Sequence, residues 1–153
     1  MLPLKHSTLA GAVASPSARA HALTLTAGLS TARVAGMSDW SWPESLDALA
    51  AASKHHTLLF ENERVRVLDT RVAPGETTAV HTHRWPSVMY VVSWGDFVRR
   101  DGDRNVVLDT RLTPKPIAPG TAVWYAPLPP HSLENVGSAE IHVITVELKD
   151  AAD

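Results

Sequence analysis

The spacing of apolar and polar positions divides the chain into one short helical stretch and a long series of strands. Leu46, Leu49 and Ala50 recur at helical spacing behind Ser41-Trp42-Pro43-Glu44. That tetrapeptide has the form of a capping box, in which Ser41 accepts from the amide of residue 44 and Glu44 reaches back to the amide of Ser41. Proline is tolerated in a first helical turn, so a short helix is predicted to end near Ser53. From His56 the period shortens to two. Thr57-Leu58-Leu59-Phe60 and Val65-Arg66-Val67-Leu68 flank Glu61-Asn62-Glu63 and predict a hairpin. The second strand continues through Asp69 to Val72, where Pro74-Gly75 turns it. Thr77 to His83 is predicted extended, and Val88-Met89-Tyr90-Val91-Val92 reads as a buried strand by composition. Phe97 to Arg100 and Val106 to Leu108 form a hairpin around Asp101-Gly102-Asp103. Pro114, Pro116 and Pro119 make a stiff connector, Gly120 opens a strand through Tyr125, and Pro127, Pro129 and Pro130 predict a loop just before His131. Ile141 to Leu148 is the last strand. Many short strands joined by Gly/Pro turns indicate an all-β protein, a sandwich or barrel.

Composition adds limits. The 153 residues suit one domain, 44% hydrophobic and 20% charged. Cysteine is absent, which excludes disulfides, thiolate ligands and a Cys nucleophile and fits a cytoplasmic location. A net charge of −2 gives no electrostatic footprint for nucleic acid, and no apolar run approaches the ~20 residues that span a bilayer. The acids all lie from Asp39 onward, so residues 1–38 form a separate leader carrying Lys5, Arg19 and Arg33. It resembles a transit peptide, and an over-extended start upstream of Met37 explains it equally well. The expected organisation is a disordered leader over 1–38 and a single domain over 39–153. Without residues 1–36 the chain has 11 bases against 16 acids, a mildly acidic net −5.

Candidate chemistry begins with His81-Thr82-His83. Residues two apart in a strand project from one face, so both imidazoles can serve one metal ion. An H-x-H pair alone is weak evidence, and two exposed strand histidines are its commoner meaning. The surrounding spacing decides between them. Gly75-x5-His81-x-His83-x11-Gly95 and Gly120-x10-His131-x3-Asn135 follow one another in order. Together they resemble the two sequence motifs of the cupins, over about residues 57–148.

That resemblance implies a small antiparallel β-barrel or jelly roll with a short N-terminal helix. It implies one divalent metal on His81, His83 and His131, and a homodimer. The family's glutamate falls by spacing on Val88, with Ser87 beside it; neither replaces a carboxylate ligand. The second motif is rebuilt around its prolines, with Ala126 and Leu128 where the family has Pro and Gly. A metal on three neutral imidazoles keeps its full charge and favours an anionic bidentate ligand, with positions left open for water, O2 or substrate. Cupins with three histidines include thiol and diketone-cleaving dioxygenases that use Fe(II). The expectation is therefore a dioxygenase-like oxidoreductase acting on a small molecule with Fe(II); Zn, Mn, Ni and Co also suit the ligands. A redox-neutral lyase or isomerase and a non-catalytic binding module remain as alternatives.

The remaining residues are weighed individually. Trp85, Val88, Tyr90 and Trp124 are expected to line the pocket, and Tyr90 and Tyr125 are the candidate proton or hydrogen-bond donors. Trp94 joins the aromatic cluster as core. Arg84 alternates outward, and Arg99-Arg100 reads as a solvated hairpin end. His55-His56 reads as a loop feature, and His142 as a non-ligand. Glu76, Glu134 and Glu147 are candidates for the missing carboxylate, Glu134 being discounted by its opposite strand parity to His131. Asn135 is expected to tie backbone together. Ser87 has no His and acid partners at catalytic spacing, so it is not read as a nucleophile.

Overall fold

The computed structural model describes residues 40–112 and 117–149; all fall in the compact unit Met37–Asp153. The expected leader, and Pro114 and Pro116 of the connector, lie outside the described residues.

The helical stretch is shorter than predicted and differently capped. A 3-10 turn, Glu44–Leu46, leads into α1, Ala48–Ala51. The Ser41–Glu44 capping box does not form: Pro43 precedes the 3-10 turn without a side-chain cap, and Asp47 caps α1 by accepting from the amide of Leu49 at 3.0 Å. Asp47 takes the role because its carboxylate is also held by Arg66.

Nine strands follow among the described residues: β1 His56–Glu61, β2 Val65–Val72, β3 His81–His83, β4 Ser87–Ser93, β5 Phe97–Asp101, β6 Val106–Asp109, β7 Ala122–Tyr125, β8 Leu128–Asn135 and β9 Ile141–Leu148. They form two antiparallel sheets, in the order β1-β2-β9-β4-β7 and β3-β8-β5-β6. The β1–β2 hairpin turns where predicted, and the Asn62 side chain accepts from the amides of Arg64 and Val65 there. Prolines 129 and 130 lie within β8 rather than in a loop. They are tolerated because the β3–β8 register shifts between the His81 and His83 pairs, and the β5 ladder reaches only His131.

The sheets pack through their inward positions. β9 alternates without a break, burying Ile141, Val143, Thr145 and Glu147. Val72, Val91, Phe97, Ile141 and Val143 form the apolar cluster, with Met89, Trp94 and Leu133 against it. In β4 the buried Ser87 and Val91 set the odd positions inward, which leaves Val88, Tyr90 and Val92 on the outer face. The reading of Val88 to Val92 as wholly buried is therefore corrected; an unbroken apolar run carries no parity signal.

The motif residues have local reasons. Gly75 and Gly120 adopt left-handed φ values of 79° and 84°, which glycine reaches without a Cβ penalty. At Gly95 a Cβ would lie 2.4 Å from the Ala139 carbonyl oxygen. Asn135 ties backbone as expected: its amide donates to the carbonyls of Val72 and Ala139 and its oxygen accepts from Gly137. Among the described residues no helix is long and apolar enough to cross a membrane.

Candidate metal centre

Between the sheets lies a cavity of about 100 Å³. One end is apolar, walled by Val72, Phe97, Ile141 and Val143; the other holds His56, His81, His83 and His131. The strands place these histidines by simple rules. In β3, His81 and His83 face the cavity while Thr82 turns the other way and donates to the Leu46 carbonyl at 3.1 Å. β8 sets His131 directly across from His81. His56 enters from the first position of β1, opposite Thr70 of β2.

All four imidazoles are buried and touch. Ring centroids are 4.6 Å apart for His56–His81, 5.4 Å for His56–His83, 5.1 Å for His81–His83 and 4.4 Å for His81–His131. Each ring donates from Nδ1 to an oxygen that can only accept: His56 to the Ala52 carbonyl at 3.1 Å, His81 to Ala79 at 2.8 Å, His131 to Pro129 at 2.8 Å, and His83 to the Glu147 carboxylate at 2.7 Å. An oxygen that cannot donate requires the proton on Nδ1. In the neutral form of such a ring it is Nε2 that carries the lone pair. Burial, reinforced by the neighbouring imidazoles, pushes His56, His81 and His131 down to about 3, so these rings are neutral at ordinary pH. Neutral, oriented imidazoles backed by carbonyls or a carboxylate are the donor set that metal sites use. Donor nitrogens of His56, His81 and His83 lie within 4.8 Å of one another. The residues present thus fit a divalent cation.

The structure brings His81, His83 and His131 together and adds His56, which lies at the head of β1 rather than in the expected loop. The sequence signal for His56 is slight: it lies at the head of a strand, in a chain whose motif lacks one ligand. Of the carboxylate candidates, Glu76 pairs with Lys54 and His55, and Glu134 with Arg100. Glu147 is fully buried and stands behind His83, where its second oxygen accepts from Arg66 at 2.5 Å. Arg66 in turn makes a two-pronged contact with Asp47 at 3.0 and 2.8 Å. Burial works against the Arg66 charge, but these hydrogen bonds outweigh it and hold the guanidinium above its ordinary value.

The expected pocket is corrected. Trp85, Val88, Tyr90 and Trp124 do not line the cavity. Val88, Tyr90 and Trp124 sit on the outer face of the five-stranded sheet, Val88 opposite Trp124, which is 60% exposed. Trp85 instead lies 4.7 Å from the Arg66 guanidinium and lines a surface groove with Trp40 and Trp42. The inward partners are Ser87 and Tyr125, directly opposite each other. Of the two candidate tyrosines, only Tyr125 reaches the cavity, and burial raises its phenol above the ordinary value. Arg99 also lines the cavity, contrary to its reading as a solvated hairpin end; Arg100 does not. Strand parity with the buried Phe97 is the signal that marks Arg99. Arg84 is exposed, as expected. His142 lies outside the cavity, with Nε2 3.0 Å from Asp69.

The architecture is that of the cupins, a double-stranded β-helix. A cupin domain from Bordetella pertussis superposes with a TM-score of 0.50 at 21% identity, over 62% of this chain and 92% of that one. A conserved protein with a double-stranded β-helix domain from Klebsiella pneumoniae gives 0.46 at 17%, over 79% and 93%. The polyketide cyclase RemF from Streptomyces resistomycificus gives 0.44 at 18%, over 67% and 70%. No family model matches the sequence, and no curated protein matches it. This chain therefore has the cupin fold, with a candidate metal site of buried histidines.

Proposed function

We propose that this chain is a mononuclear metal enzyme that acts on a small anionic bidentate substrate, in a dioxygenase-like reaction with Fe(II). The observation that carries the reading is the shared tautomer. Four histidines from three separate strands each spend Nδ1 on an acceptor and present Nε2 to one cavity. His56, His81 and His83 would hold the ion, with His131 beside His81 completing the set. When bound, the ion supplies Lewis-acid stabilisation of negative charge on the substrate and, as iron, the one-electron chemistry that O2 requires. The chain's own residues do the rest. Glu147 fixes the His83 ring and places negative charge behind it. Tyr125, kept protonated, is the hydrogen-bond donor to a substrate oxygen. The apolar walls at the other end accept the non-polar part of the substrate.

The test is elemental analysis of protein purified without added metal or chelator, followed by O2 consumption with small diketones, thiols and hydroxy acids. About one iron per chain and substrate-dependent O2 uptake support the reading. One zinc or manganese without O2 uptake replaces it with redox-neutral Lewis-acid chemistry. No metal, even after reconstitution, refutes the metal centre.

A further inference from the structure

The cavity contains a charge that the metal centre does not use. Among the described residues, three arginines are buried or half-buried: Arg66, Arg99 and Arg100. Arg66 is neutralised by Asp47 and Glu147, and Arg100 is paired with Glu134. The Arg99 side chain has no hydrogen bond or ion pair with any described residue, although it lines the cavity. A half-buried guanidinium without a protein acceptor is available to an anionic ligand.

Position makes this specific. Arg99 pairs with Leu133 in the β5–β8 ladder, and two positions on His131 pairs with Asp101, whose carboxylate is held in the hairpin turn by Asp103 and Asn105. Arg99 and His131 are thus diagonal neighbours on one sheet face, roughly 7–8 Å apart at the backbone. The positive charge of Arg99 acts on both His131 and Tyr125. Among the described residues no Asp or Glu lines the cavity, and Glu147 is already committed to His83 and Arg66. The lumen is therefore positive from Arg99 alone, and more so with a cation on the histidines.

We infer that Arg99 is the carboxylate-binding residue of the cavity, and that its ligand is a short organic acid carrying a second oxygen or sulfur donor. The planar guanidinium fork matches a carboxylate two oxygens to two N–H groups. The second donor then faces the histidine Nε2 atoms, and a short alkyl group points toward Phe97 and Ile141. The cavity volume of about 100 Å³ suits an acid of a few carbons. The chelating half of this inference rests on the metal centre proposed above; the Arg99 half does not.

The test is calorimetric titration of the full chain with 2-hydroxy and 2-oxo acids of two to four carbons, each beside its neutral amide. Metal content is measured on every sample. Wild-type protein is expected to prefer acid over amide by at least tenfold. Arg99→Gln should lose tenfold or more in acid affinity with unchanged metal content, and Arg100→Gln should lose nothing. Arg99→Lys, which keeps the charge without the fork, should fall between, and it stands in if Arg99→Gln does not fold. Equal acid binding by wild type and Arg99→Gln overturns the inference, as does metal-loaded wild type that binds no acid. If wild type holds no metal, the metal centre fails separately, and the same titrations of metal-free protein still decide Arg99: binding that depends on Arg99 supports its role, and any other result removes it.

Discussion

His83 and Glu147 lie 64 positions apart and share a 2.7 Å hydrogen bond in the interior of the barrel. Glu147 is wholly buried in the apolar register of β9, a place where a carboxylate survives only if it is paired. Its two oxygens divide the work, one to His83 and one to Arg66. The charge that the motif lacks beside the histidines is thus supplied one bond further out, through an imidazole.

Glu147→Gln should therefore weaken metal binding without abolishing it, by about 10–100-fold, the usual range for a carboxylate behind a ligating histidine. Competition with a chromophoric chelator measures this directly. The same variant leaves Arg66 with less acceptor capacity, and a loss of about 3–5 kcal/mol in folding stability is expected from breaking a buried pair. Unchanged metal affinity alongside lowered stability would show that Glu147 serves the fold alone.

Acid should destabilise the metal-free protein through the same cluster. His56, His81 and His131 have folded-state values of about 3, against roughly 6.5 in an unfolded chain. Between these limits the unfolded state binds more protons, so stability rises with pH. The contribution is complete above about pH 6.5 and is lost as pH falls toward 3. Each histidine adds up to ~1.4 kcal/mol per pH unit within that window. Denaturant titrations of chelator-treated protein at pH 7.5, 6.5 and 5.5 should show the fall, and His56→Phe should flatten it. Equal midpoints at all three pH values would contradict neutral burial of these rings.

Much of this arrangement is legible in the sequence, for physical reasons that also explain the remainder. His81 and His83 share a face because strand period is two, and counting by twos from Ile141 puts Glu147 on the buried face of β9. Where alternation is absent, parity fails. Val88 to Val92 is apolar throughout, so the sequence does not distinguish Ser87 and Tyr125 from Val88 and Trp124 as the inward-facing pairs. Glu147 becomes the partner of His83 only because β9 of one sheet meets β3 of the other across the interior. His56 is oriented by the Ala52 carbonyl just past α1, a contact that depends on how the helical stretch packs. The Ser41 capping box lost to Asp47 because Asp47 gains Arg66 as a second partner.

The four histidines should not be equivalent. His56→Ala or His81→Ala should reduce metal from about one ion per chain to near zero at micromolar free metal. His131→Ala removes a ring that adjoins His81 at 4.4 Å but lies outside the tightest trio, and is expected to weaken binding while preserving stoichiometry at saturation. His142→Ala, outside the cavity, is the control and should leave uptake unchanged. Full uptake by His56→Ala would return the site to the three motif histidines.

Ser87→Glu provides the sharpest contrast between cation and anion binding in this cavity. Ser87 is buried, faces inward from β4 opposite Tyr125, and lines the chamber that holds the histidines and Arg99. A carboxylate there adds the negative charge that the lining lacks. With metal bound, it should strengthen cation binding by tenfold or more, since an anionic oxygen joins neutral nitrogens. Without metal, the same charge is desolvated and should cost about 1–3 kcal/mol of stability, partly offset by Arg99. Anion binding should weaken, because the new carboxylate competes for Arg99 and repels the incoming acid. Metal titration, chelator-treated thermal melts and acid titration read these three effects separately. Tighter metal together with weaker acid binding places cation and anion in one chamber; a variant with neither change would show that Ser87 does not face them both.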